Sequence, residues 1–390
     1  MQDLVFPRYD GESITNVPHT ILKHFGLNFK RPLNRIYLSS DRLISILIDG
    51  VGYRDFMKII NTFHEIEWFK DHVKIITSTF PSTTSTALVS LSTGLEPGLH
   101  GVIGSVMYIR EIGMIVNTRS LSPMISEDRD YFQKHGVNVS KFFKIETTVF
   151  NELSSVGVRT RVYLPKGLSD GISRLIYKGA EVLDYSGISD ALINALTFLQ
   201  DLDQGYVHIY IPTPDQVAHK YGVDSDEYVN CVGDILVSID RILKKYVKKS
   251  ISIIILSDHG LIPTGEHDVV KFEDHEYLMN SLSTPPFGEA RASFIKIERD
   301  YDVDEVKQYL ESRFRGFKIL KISEIFSSNL LGQVDSNVCR RLGDLLILST
   351  STKCLDYSYR GEPREKTILK AQHGSLLSRE MLTPLVILNF

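Results

Sequence analysis

The chain has 390 residues, 43% of them hydrophobic and 24% charged, with a formal net charge of −4. This is the balance of a soluble globular protein long enough for one large domain with an insertion, or for two domains. The slight acidity argues against a general binder of nucleic-acid polymers or anionic membranes.

Three cysteines, Cys231, Cys339 and Cys354, form no C-x-x-C metal motif and no disulfide framework, which suits a reducing cytoplasm. The opening MQDLVFPRYDGESITNVPHT places acids and a proline where a signal peptide needs an unbroken apolar core. The longest apolar runs, near Ile251 to Leu256, are far too short to cross a bilayer. The expectation is a cytoplasmic protein without a membrane partner.

Residues 1–40 show no firm period and read as a surface-wrapping arm. Arg42 to Asp49 is a β-branched, nearly all-apolar run, the signature of a strand buried on both faces. It ends in Asp49-Gly50. An acid there is costly to bury without a partner, and ligands of open α/β sheets sit just beyond such strand ends.

The pattern recurs at His72 to Ser78, Gly205 to Ile211 and Ser250 to Ser257. Helical spacing falls at Arg54 to Phe63, Lys141 to Ser155, Ser189 to Gln200 and Asp224 to Lys245. The alternation predicts an α/β fold with a mostly parallel sheet and helices on both faces.

Between the second and third of these strands lies FPSTTSTALVSLSTGLEPGLHGVIG, Phe80 to Gly104. Thr86 to Thr93 has helical spacing, and Gly94 stands at the C-terminal cap position. The preceding Ser82, Thr83, Thr84 and Ser85 read either as N-caps or as a nucleophile placed where helix amides favour an anion.

After Asp258-His259 the texture becomes loop-like. Arg291 to Glu298, Asp302 to Phe314 and Phe317 to Ile322 then read as strand, helix, strand. This predicts a small α+β cap over 265–339 inserted into a catalytic core of 1–264 and 340–390. Gly343 to Leu348 is expected to resume the core, and Leu385 to Leu388 to close the chain as a last strand.

The acids and imidazoles that follow strands are Asp49, Asp215 with His219, Asp258 with His259, and His373. Asp215 and His219 stand four apart, so one helical turn places both on one face. Asp258 and His259 are adjacent and converge only if the strand has already ended. Taken singly, Asp-Gly is a turn, and D-x-x-x-H is a solvated helix face. Their joint occurrence at strand ends favours a metal centre.

The ligand set fits zinc, with manganese or iron less favoured. Six ligands and a hydroxyl make two sites, the arrangement of two-metal phosphoryl-transfer centres. A metal would activate a Thr hydroxyl that has no neighbouring base in sequence. His267-Asp268 and Asp274-His275 imitate ligands but have no strand before them.

With these residues assembled, the chain resembles the alkaline phosphatase superfamily. It is most similar to the nucleotide pyrophosphatase/phosphodiesterase branch, including its soluble prokaryotic members. The matching segments are ILIDG, FPSTTSTALVSLSTGLEPGLHGVIG, IPTPDQVAHKYG, ILSDHG and QHG, in the family's order over about residues 42–390.

The resemblance implies a mixed sheet sandwiched by helices, with two divalent ions, zinc or alternatively manganese, at the strand ends. Asp215, His219 and His373 would bind one. Asp49, Asp258, His259 and the nucleophile would bind the other. Counting back from TGLEPGLHG puts the family's nucleophile on Thr84, with Thr83 as runner-up, and leaves Ser82, Thr83 and Ser85 to capping and packing. The Asn that holds phosphoryl oxygens in eukaryotic members is replaced by Ser105, while Asn117 resembles an Asn of the prokaryotic group.

The implied reaction is hydrolysis of a phosphodiester or phosphoanhydride in a small phosphate ester or nucleotide, through a phospho-threonine. Alternatives are a phosphomonoesterase, a phosphonate hydrolase or a phosphoglycerate mutase-like phosphotransferase. Tyr53, Tyr108 and Phe287 are candidates for stacking on a base, or simply packed.

Overall fold

Residues 3–27, 31–359 and 369–390 are described by a computed structural model. The strand β1 (Arg42–Ile48) is buried at every position after Arg42. Its residues alternate between two apolar cores: Leu43 and Leu47 face one, and Ile44, Ile46 and Ile48 the other. That two-sided burial is why the run reads as continuous rather than alternating.

Further along lie β2 (Val73–Thr77), β3 (Val106–Ile109), β4 (Met114–Asn117) and β5 (Ser122–Pro123). They are followed by β6 (Arg159–Pro165), β7 (Glu181–Tyr185), β8 (Gly205–Ile211) and β9 (Ser252–Leu256). The main sheet has the order β2, Leu382–Asn389, β9, β1, β8, β6, β7. β1 runs parallel to β8 and β9, and β6 parallel to β7 and β8. Only Leu382–Asn389 is antiparallel to its neighbours, β2 and β9.

Parallel neighbours need crossover connections. Helices supply them, among them α2 (Tyr53–Thr62), α3 (Thr84–Thr93), Ile188–Gln200 and Asp226–Tyr246, while α1 (Asn16–His24) precedes the first strand. The carboxyl ends of β1, β8 and β9 therefore open on the same edge, where Asp49, Asp215 and Asp258 follow them.

Several expectations need correction. Residues 1–40 do more than wrap the surface, because α1 buries Val17, Ile21 and Leu22 in the core. Of the helix expected over Lys141 to Ser155, Val149–Ser155 forms as α-helix. Thr148 stops it, accepting the amide of Asn151 in a capping box.

The main sheet does not resume at Gly343. Leu345–Ser349 belongs to a second seven-stranded sheet, in the order Phe317–Lys321, Leu345–Ser349, Ala292–Ile295, Phe287–Glu289, β3, β4, β5. This sheet draws on both sides of the boundaries expected at 265 and 339. Its own core joins Phe272, Val306, Leu310 and Phe314 to Leu345, Ile347 and Leu355. Leu345–Ser349 is buried throughout, and its apolar run LLIL carries no mark of which sheet it will join.

Candidate metal centre

Three strand ends and one helix start converge. Beyond β1, Gly50 takes a φ of +73°, and a Cβ there would lie 2.8 Å from the Asp215 Cβ. Glycine thus lets the turn after β1 approach the helix Thr213–Tyr221, which carries Asp215 and His219. Beyond β9 the strand has ended at Leu256. Asp258 and His259 can therefore converge, with His259 Nε2 3.5 Å from Asp258 Oδ2.

Two clusters result. Asp49, Asp258 and His259 are buried and present ligand atoms within 4.8 Å of one another. Asp215, His219 and His373 form the second such cluster. His219 Nε2 is 3.3 Å from Asp215 Oδ2, one helical turn away, and His373 Nε2 is 4.0 Å from Asp215 Oδ1. The rings of His259 and His373 stack with centroids 3.9 Å apart, so the clusters adjoin.

Each imidazole is oriented the same way. His219 Nδ1 donates to the Ala371 carbonyl at 2.8 Å, His373 Nδ1 to that of Ser82 at 3.0 Å, and His259 Nδ1 to that of Gly260 at 3.2 Å. With the proton fixed on Nδ1, the Nε2 lone pair faces the centre, as metal-ligating histidines require. Asp215 Oδ1 and Asp258 Oδ2 are buried without a hydrogen-bond partner. Orphaned buried carboxylate oxygens are costly, and a cation answers them. The residues fit divalent metal.

Electrostatics point the same way. Burial pushes the Asp49 carboxyl well above its usual range, and the neighbouring Asp258 and Asp215 push it further. The Tyr210 hydroxyl opposes this, donating to Asp49 Oδ2 at 2.5 Å. Burial would also raise Asp215, but the hydrogen bond and charge of His219 outweigh it and hold the carboxyl low. His373 is held well below the ordinary imidazole value, first by burial and then by His259.

Thr84 is the first residue of α3. Its Oγ1 lies 3.1 Å from His259 Nε2 and 3.4 Å from each oxygen of Asp49. The other three hydroxyls are not caps. Thr83 occupies the N-cap position without a side-chain capping bond, and its Oγ1 instead lies 3.3 Å from Ser105 Oγ. Ser85 Oγ lies 3.4 Å from the same atom. Ser82 Oγ donates to the Ser375 carbonyl at 2.7 Å.

Ser105 therefore sits beside the start of α3. Asn117 has a different task, since its Oδ1 accepts the amides of Arg119 and Ser120 at 3.0 and 3.2 Å. Phe287 stacks on Phe294 in the interior, and Tyr108 lies against Phe287. His275 packs on Phe314 in the core of the second sheet, away from the centre.

Sequence reasoning missed two further residues. Tyr210 looks like any core aromatic of β8, although its register partner Leu47 stands two residues before Asp49. Glu289, at the end of Phe287–Glu289, accepts the Ser105 amide, and burial raises its carboxyl above the ordinary range. Its only sequence signal is an acid beside two prolines and a glycine, which reads as loop.

The fold and the paired His/Asp clusters define an alkaline phosphatase-like α/β protein. Murine ectonucleotide pyrophosphatase / phosphodiesterase 5 superposes with a TM-score of 0.66 at 16% identity, covering 88% of this chain and 87% of that one. Phosphonoacetate hydrolase from Sinorhizobium meliloti 1021, solved with phosphonoformate, gives 0.65 at 18% identity over 91% and 94%.

The chain belongs to the type I phosphodiesterase / nucleotide pyrophosphatase family, whose model matches residues 43–375. A Schizosaccharomyces pombe protein described as an uncharacterized pyrophosphatase/phosphodiesterase is 26% identical over 214 residues. The match covers 51% of this chain and 40% of that relative, so the chain spans well under half its length.

Proposed function

We propose that the protein hydrolyses a phosphodiester or phosphoanhydride bond in a small phosphate ester or nucleotide, with Thr84 as nucleophile at a two-zinc centre. The observation that carries this is the position of Thr84 Oγ1, at a helix start within 3.4 Å of His259 Nε2 and both Asp49 oxygens. Asp49, Asp258, His259 and Thr84 would hold one ion, and Asp215, His219 and His373 the other. Bound there, the ions supply Lewis-acid stabilisation of phosphoryl oxygens and lower the pKa of coordinated hydroxyls.

Thr84 Oγ1 gives up its proton to solvent and attacks phosphorus. An O–P bond to Thr84 forms as the bond to the leaving oxygen breaks, and that oxygen takes a proton from water. Water then adds to phosphorus, and Thr84 leaves and regains its proton. The amide of Ser85, in the first turn of α3, would donate to a phosphoryl oxygen. Tyr210 holds the Asp49 carboxylate in orientation, and Ser105 stands beside the hydroxyls that flank the nucleophile. The three cysteines, which are free thiols, favour a cytoplasmic site of action.

A phosphonate substrate is the second reading, favoured by the fold likeness to phosphonoacetate hydrolase. The test compares rates on bis-p-nitrophenyl phosphate, p-nitrophenyl phosphate and phosphonoacetate for the wild type and Thr84→Ala. The diester is expected to be cleaved fastest, and Thr84→Ala to lose roughly 10³–10⁶-fold while keeping its metal. Near-normal turnover in Thr84→Ala would overturn the nucleophile, and a much faster monoester would overturn the substrate class.

A further inference from the structure

Thr83 stands at the N-cap of α3 in an extended conformation, with φ −142° and ψ 147°, yet its side chain makes no capping bond. A threonine there ordinarily accepts an amide of the first turn. Its Oγ1 lies instead 3.3 Å from Ser105 Oγ, and Ser85 Oγ lies 3.4 Å from the same atom. Both neighbours of the nucleophile in sequence thus meet at Ser105.

Glu289 holds Ser105 in place. The Ser105 amide donates to Glu289 Oε1. From the other side the Thr118 amide donates to the Ser105 carbonyl at 2.9 Å. Glu289 is itself anchored in the second sheet, where it pairs with Ala292 and its carbonyl accepts the Ser293 hydroxyl at 3.1 Å. Gly288 pairs with Val106, and a Cβ on Gly104 would lie 3.1 Å from the Gly288 Cα, so this strand runs close beside the segment carrying Ser105. Glu289 also packs on the residue after His373, since a Cβ on Gly374 would lie 2.8 Å from its own Cβ. Burial raises the Glu289 carboxyl, and the Ser105 amide and the Ser105 and Thr83 hydroxyls oppose this.

Two partners compete for the Thr83 hydroxyl. Turned towards α3, it would accept the amide of Ser85 or Thr86, the donors that a phosphoryl oxygen needs. Turned towards Ser105, it leaves them to the substrate.

We propose that Glu289 is a positioning residue that, by holding Ser105, keeps the Thr83 hydroxyl off the start of α3 and leaves the amides there for the phosphoryl group. This rests on the phosphohydrolase reading above and adds a residue to it. Glu289 does not touch phosphorus. It acts through Ser105 and Thr83.

The test uses the metal-loaded full chain on bis-p-nitrophenyl phosphate. Glu289→Ala is expected to lower kcat about tenfold, the scale that one competing capping bond sets, with KM changed less than about twofold. Glu289→Gln keeps an acceptor for the Ser105 amide and should recover most of that loss. Thr83→Val cannot cap, so in that background Glu289→Ala should cost less than about twofold. Wild-type kcat in Glu289→Ala, equal losses in the Ala and Gln variants, or losses that multiply in the double variant would overturn the proposal.

A crystal structure of Glu289→Ala reads the same link without activity. The Thr83 hydroxyl should turn to the Ser85 or Thr86 amide, and a hydroxyl left beside Ser105 overturns the proposal. Glu289→Asp, which withdraws the carboxylate by one methylene, should release Thr83 in the same way and decides the matter if Glu289→Ala does not fold. A wild type without turnover overturns the hydrolase reading instead, while the structures still decide Glu289.

Discussion

The Ser82 carbonyl accepts a hydrogen bond from His373 Nδ1 at 3.0 Å, so a ligand from the end of the chain is aimed by the segment that presents Thr84. The Ser82 hydroxyl completes the clip, donating to the Ser375 carbonyl at 2.7 Å and accepting from the Gly374 amide at 3.2 Å. Ser82→Ala is expected to leave the carbonyl contact but loosen the His373 segment. Outer partners of metal ligands are worth about 10–100-fold in affinity. Chelator-competition titration should show that loss of divalent-ion affinity, and unchanged affinity would show the clip to be dispensable.

Metal removal has a signed consequence for stability. Without ions, Asp49 and Asp258 repel across a buried space. Asp258→Asn is expected to raise the melting temperature of the metal-free protein, because the amide keeps the acceptor for the Gly50 amide while removing a charge. The same variant should lose most of the stabilisation that a divalent ion confers on wild type, about 2.7 kcal/mol at a hundredfold excess over Kd. Thermal scans with and without chelator measure both.

Arg291 and Glu380 form a fully buried bidentate pair, with bonds of 2.8 and 2.9 Å. The pair ties the second sheet to the segment around the centre, since Glu380 Oε1 also accepts the Ser375 amide and the Glu380 carbonyl the Gly260 amide. Arg291→Met strands a buried carboxylate and should destabilise by about 3–5 kcal/mol. The double variant with Glu380→Leu should recover part of this in urea unfolding, and equal losses would deny the coupling.

His100 is wholly buried, with Nδ1 accepting the Val102 amide at 3.1 Å and Nε2 3.0 Å from Ser90 Oγ. Burial lowers its pKa from 6.5 to about 3. Between those values the unfolded chain binds the proton and the folded one does not. Stability is therefore present above pH 6.5 and lost as pH falls towards 3, by about 1.4 kcal/mol per unit. His208, lowered to about 4 by burial, adds to the slope. His100→Asn keeps an acceptor for Val102 and should flatten the acid limb relative to wild type, and parallel curves would refute the assignment.

What the sequence disclosed follows physical rules. β1, β8 and β9 were legible because both faces are buried, so their runs are uninterrupted. β6 and β7 were not expected, because RTRVYLP and EVLDY mix charge into strands near or at the sheet's edge. β3 and β4 escaped because four residues of half-buried alternation resemble a loop. The convergence of the six ligand candidates was readable because each follows a strand or shares a helical turn. Tyr210 and Glu289 were not readable: each gains its meaning from a partner that only the tertiary fold supplies.

The placement of Leu382–Asn389 between β2 and β9 has a consequence for biosynthesis. A ribosome emits β2 and β9 long before the strand that separates them, and His373 also arrives late. At about 5–20 residues per second, tens of seconds pass between the emergence of Asp49 and that of its distant neighbours. Once β9 has emerged, the nascent chain holds it with one side of its ladder open until Leu382–Asn389 follows. The hydrolytic centre is thus a post-translational event, assembled when the final strand threads into the gap reserved for it.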